Sequence, residues 1–154
     1  MLAGPHVALG AIIGRVSPRA WIALPVAFLS HYLLDALPHA YLTLRDGKAI
    51  PLKATIVGAD ALVGLALVLW IARRQTHWRL IVGSALAAVI LDAMNPVTSL
   101  GRWLAHSPGT GWLISMHIRS ACHVRFPGGL LGFGPGVAVL ALAAVAAWLL
   151  DRRR

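Results

Sequence analysis

"LLGFGPGVAVLALAAVAAWLL", residues 130–150, decides the class of fold. It contains no charged side chain, and a membrane-spanning helix needs about 20 predominantly apolar residues. Four more apolar segments precede it, at 2–14, 21–37, 54–72 and 80–94. The first is short for a span and reads as re-entrant or partly inserted. Pro38 stops the second, and Pro25 lies inside it, which membrane helices tolerate. Asn95-Pro96 stops the fourth. A long connection, 95–129, contains "WLISMHIRSACHV" (112–124), which reads as a short interfacial helix. The expectation is a single all-α integral membrane domain over residues 1–154, a polytopic transmembrane helix bundle of four to five apolar segments plus that interfacial helix.

Composition agrees. Hydrophobic residues make up 58% of the 154 and charged residues 12%, against about 25% charged in a soluble domain. The mean hydropathy is +0.75. A soluble chain this short cannot hide so much apolar surface. The net charge is +9, but the cations sit between apolar runs and form no stripe interleaved with aromatics. Nucleic acid is therefore not an expected partner; membrane lipids are. The single cysteine, Cys122, excludes an internal disulfide and reads as a small buried hydrophobe. The start lacks the basic region of a signal peptide and is expected to belong to the mature fold. "GGLLGFGPG" (128–136) lacks the strand and helix context of a nucleotide fingerprint and reads as a close-packing segment.

Charge also sets the sidedness. If every segment crosses, Arg15, Arg19, Arg73, Arg74, Arg79 and the Arg152-Arg153-Arg154 tail share one face, in short loops close to helix ends. By the positive-inside rule that face is cytoplasmic, and Trp21, Trp70, Trp78 and Trp148 mark its interface. The expected location is the inner membrane of a bacterium or archaeon, with the C-terminus in the cytoplasm.

The polar residues inside the apolar segments point to chemistry. All five acids are Asp, and Asp35, Asp60 and Asp92 fall within apolar runs. An Asp near a helix centre costs about 2.5 to 3.5 kcal/mol on insertion scales, whereas a Leu returns only about 0.3 to 0.6. In alternating helices all three lie towards the face opposite the arginine-rich loops. His6, His31, His39, His117 and His123 belong to that same end. Within "SHYLLDALPH" (30–39), His31 and Asp35 are one helical turn apart and His39 follows just past Pro38. That spacing can present two imidazoles and a carboxylate to one point, a donor set that zinc accepts. Asp60, Asp92, His117 and His123 are candidates for a second ion, so one or two zinc ions are expected, with other divalent metals open. Asp60 and Asp92 are equally candidates for a general base or an orienting group. Arg119 and Arg125 flank the last two histidines and could neutralise a phosphate, or be ordinary solvated cations.

"GPHVALGAIIG" (4–14) followed by "SHYLLDALPH" resembles the small membrane-bound metal-dependent hydrolases, a family of inner-membrane proteins. The resemblance implies functional positions at His6, His31, Asp35, His39, Asp60, Asp92, His117 and His123. The expected metal ligands are His6, His31, Asp35, His39, His117 and His123, and the expected catalytic residues are Asp60, Asp92 and, from its place beside the last histidines, Arg119. "LDAMNP" (91–96) departs from the Pro-Asp pair often found there. The His-x-x-x-Asp spacing is also similar to a segment of zinc-dependent phospholipase C, which implies a phosphoester substrate, either a lipid or a lipid-linked one. Two other classes remain open. A transporter would need polar groups along a whole pathway, and beyond Ser84 the cytoplasmic halves offer few. A non-catalytic bundle would use the same His and Asp residues for packing, and would tolerate Asp35→Asn.

Overall fold

The computed structural model describes residues 2–39, 50–93, 102–104, 106–107, 109–112 and 130–152. Among them there is no strand. The helices are α1 (Ala3–Val16), α2 (Ala20–Asp35), α3 (Ile50–Ala72), α4 (Trp78–Ala93) and α5 (Gly134–Arg152), the last entered through a 3-10 turn at Leu130–Phe133. The expected interfacial helix at 112–124 falls outside the described residues, apart from Trp112.

Two helices are long and apolar enough to cross a membrane: α3, over Pro51–Ala72 with mean hydropathy 2.1, and α5, over Gly134–Arg152 with 1.8. That is fewer than the four to five expected, and the stop signals explain why. Ser17-Pro18 cuts α1 to 14 residues, and the approach to Pro38 ends α2 after 16. At 1.5 Å per residue they measure about 21 and 24 Å, short of a hydrocarbon core of about 30 Å. The turn at 73–77 sets the start of α4, and the expected stop at Asn95-Pro96 lies outside the described residues. Pro25 sits inside α2 without ending it.

The two long helices bury little of themselves, 17% and 11% of their apolar windows. Leu62, Leu65, Leu69, Leu142 and Val145 all point outward. Such faces suit lipid rather than water.

At the centre stands α1, which contacts all four other helices and packs most extensively against α4. Small residues permit this. A Cβ added at Gly10 would meet the Ser84 carbonyl oxygen at 2.6 Å and the Ala88 Cβ at 2.7 Å. One at Gly14 would meet the Ile81 Cα at 2.8 Å. Glycines four apart on one helix let a neighbouring backbone approach closely. Gly64 of α3 comes equally close to Gly4. The apolar core joins Ala11, Val68, Ile71, Ile81, Ala85 and Ala147, drawn from α1, α3, α4 and α5.

The far end of α1 is tied to the end of α5. Arg15 is buried and donates to Asp151 Oδ1 at 2.7 Å and to the Ala147 carbonyl at 3.2 Å. His77 Nε2 donates to the Arg15 carbonyl at 3.3 Å. Arg15, expected among loop cations, therefore belongs to the helix packing.

Candidate metal centre

Alternation of the helices brings the start of α1, the end of α2 and the end of α4 together. His6 and His31 are fully buried, and Asp35 is 1% exposed. Their carboxylate and two imidazoles form a group whose donor atoms all lie within 4.8 Å of one another. His6 Nε2 is 3.3 Å from Asp35 Oδ1, and His31 Nε2 is 3.2 Å from Asp35 Oδ2. The two rings stack with centroids 4.2 Å apart and planes inclined by 23°.

The other nitrogen of His31 fixes its proton. Nδ1 lies 2.8 Å from the Ala88 carbonyl oxygen, which can only accept, so Nδ1 carries hydrogen. Nε2 of the neutral ring then turns a lone pair towards an anionic carboxylate oxygen. Two acceptors 3.2 Å apart repel unless a cation lies between them, either a second proton on the ring or a metal ion. A carbonyl holding the distal N–H is also the usual support of a metal-bound histidine. His6 makes no hydrogen bond of good geometry although both its nitrogens are buried, and its one polar neighbour is the Asp35 carboxylate, 3.3 Å from Nε2. Such an imidazole is available to ligate a metal ion.

The buried His6–His31–Asp35 group could hold a metal ion.

Asp92, on α4, places Oδ1 at 3.8 Å from His31 Nε2, with its side chain 35% exposed. It borders the group without joining it, and opens it to the outside. His39 does not join. The helix ends at Asp35, so the four-residue periodicity that stacks His31 on Asp35 is lost before Pro38. His39 Nδ1 instead donates to the Leu37 carbonyl at 2.7 Å. Asp60 is also elsewhere: its Oδ2 accepts the Gly4 N–H at 2.6 Å, capping one of the open donors at the start of α1. His39 and Asp60 share a separate cleft with Pro5, Phe133 and Val137. His117, Arg119 and His123 lie outside the described residues.

The spacing of the sequence could not disclose the Ala88 carbonyl as a partner, because a backbone group carries no sequence signal. No protein-family model, curated protein or solved structure matches this chain.

Proposed function

We propose that the protein is a membrane-embedded metal-dependent hydrolase. It holds a divalent cation, zinc by donor chemistry, among His6, His31 and Asp35, and acts on a lipid or lipid-linked phosphoester. The observation that carries this reading is the convergence of His6, His31 and Asp35, all buried, with one donor atom of each within 4.8 Å of the others. Bound zinc would lower the pKa of a coordinated water towards 7 and polarise a phosphoryl oxygen.

The chain's own residues supply the rest. Ala88 holds the His31 ring through its carbonyl. Asp92, at the open edge of the group, is the general base that takes a proton from the attacking water. His117 and His123 complete the donor set or a second site, and Arg119 neutralises phosphate charge. The arginine excess at the opposite end assigns that end to the cytoplasm. The centre then faces outward, at the level where headgroups diffuse past it.

The test is activity against a phosphomonoester, a phosphodiester and a short-chain phospholipid before and after chelation. Hydrolysis lost on chelation, restored by zinc and absent from Asp35→Ala is the expected result. Hydrolysis that survives chelation, or a zinc-loaded protein inert towards all three, contradicts the proposal. A second reading shares the same contact: a proton on His31 Nε2 would make a metal-free ion pair that ties α1, α2 and α4. It predicts a protein that folds fully without metal and loses stability in Asp35→Asn, which removes the carboxylate's charge from a buried pair.

A further inference from the structure

The end of the bundle remote from His6, His31 and Asp35 carries a collar of cations beside indoles. Arg152 lies 3.7 Å from the centroid of the Trp148 ring, Arg79 5.5 Å from that of Trp78, and Arg73 5.8 Å from that of Trp70. All three arginines are exposed. They come from three different helix ends, those of α3, α4 and α5, which alternation places at one level. Arg19 and Arg74 add to the same end and are exposed as well.

The acid at this end is already engaged. Asp151 is held at 2.7 Å by buried Arg15, and Arg73 approaches it only to 3.9 Å. Among the described residues no other carboxylate belongs to this end. Six arginines there (Arg15, Arg19, Arg73, Arg74, Arg79 and Arg152) face one aspartate, an excess of five positive charges. Such an excess is stable beside a membrane when anions from the bilayer balance it.

Arg152 lies at stacking distance from its indole, and Arg73 and Arg79 lie within cation–π range of theirs; an exposed guanidinium offers a fork of N–H donors suited to phosphate oxygens. Tryptophan itself settles at headgroup depth. Trp78 and Trp148 are half exposed on the ends of lipid-facing helices. We infer that the Trp70–Arg73, Trp78–Arg79 and Trp148–Arg152 pairs form a binding collar for the phosphate headgroups of anionic phospholipids. The occupant is a lipid rather than a free anion, because each cation is seated on an apolar ring that only an amphiphile would cover together with it. The inference is independent of the metal centre.

The experiment titrates the detergent-solubilised chain with phosphatidylglycerol and, separately, with phosphatidylcholine, and follows the thermal midpoint. Each juxtamembrane cation is worth about fivefold in affinity, so phosphatidylglycerol should half-saturate at a concentration more than tenfold below that of phosphatidylcholine. The preference should shrink with added salt and disappear in the triple variant Arg73→Gln, Arg79→Gln, Arg152→Gln. It should persist in Arg102→Gln, in the connection between α4 and α5. Should the triple variant fail to fold, Arg79→Gln and Arg152→Gln singly carry the test, each reducing the preference about fivefold. Equal response to the two lipids, a preference unchanged in the variants, or the same stabilisation from inorganic phosphate overturns the inference.

Discussion

The imidazoles of His6 and His31 stack 4.2 Å apart and direct Nε2 to opposite oxygens of one carboxylate. Two buried rings from different helices are thereby aligned on a single anion. Two imidazolium ions so close would repel, so at most one ring is protonated beside the carboxylate. A proton on one ring or a divalent cation held by both would balance the charge, and the three donors form a set that a metal ion can use.

Asp92 lies at the edge of this group, 3.8 Å from His31 Nε2 and partly exposed. Asp92→Asn is expected to retain the bound metal and lose turnover by roughly 10² to 10⁴, the usual contribution of a general base. Metal analysis beside initial-rate measurements on one preparation checks both halves. Loss of the metal would instead make Asp92 a ligand.

Asp60 has a different task. Its carboxylate caps the Gly4 N–H at 2.6 Å. Asp60→Ala should lower stability by about 1 to 2 kcal/mol, as loss of a helix cap does, with metal stoichiometry unchanged. Denaturation of the detergent-solubilised chain, read by circular dichroism, measures the first effect.

Gly10 sits where α1 meets α4. Gly10→Ala places a methyl group against the Ser84 carbonyl oxygen and the Ala88 Cβ, and the first of these is backbone that cannot turn aside. Overpacking of this kind costs about 1 to 3 kcal/mol. Gly58 has nothing within 4 Å of an added Cβ. Gly58→Ala should therefore leave the thermal midpoint unchanged or slightly raised, and serves as the matched control.

The Arg15–Asp151 contact joins the first helix to the last. The Arg15 side chain is 3% exposed and that of Asp151 30%. Asp151→Ala leaves a buried guanidinium without its carboxylate and is expected to cost about 2 to 3 kcal/mol, below the 3 to 5 of a fully buried pair. A double-mutant cycle with Arg15→Met should return a coupling of about 1 kcal/mol or more.

Much of this architecture is legible in the sequence. The apolar runs at 21–37, 54–72 and 80–94 become α2, α3 and α4 with ends shifted by a few residues, because Pro and charged turns bound them. His31 and Asp35 are legible as a pair because helical periodicity alone stacks residues four apart. His39 escapes that logic, since the helix stops at Asp35. His6 belongs to the expected end, but its stacking on His31 depends on how α1 packs against α2, a contact between residues 25 positions apart. Asp60 finds its partner 56 positions away at a backbone N–H. Asp151 reads as an ordinary connection residue until α5 is seen against α1. For His6, Asp60 and Asp151 the missing information is a contact between residues far apart in the chain; for His39 it is where the helix stops.

The most direct test is the metal content of the purified, detergent-solubilised protein, measured beside His31→Ala and Asp35→Ala. The account predicts one or two equivalents of zinc in the parent, lost from both variants while their helical content persists. A well-folded parent that holds no metal, even after incubation with zinc, would contradict it and leave His6, His31 and Asp35 as an ion-pair network binding three helices.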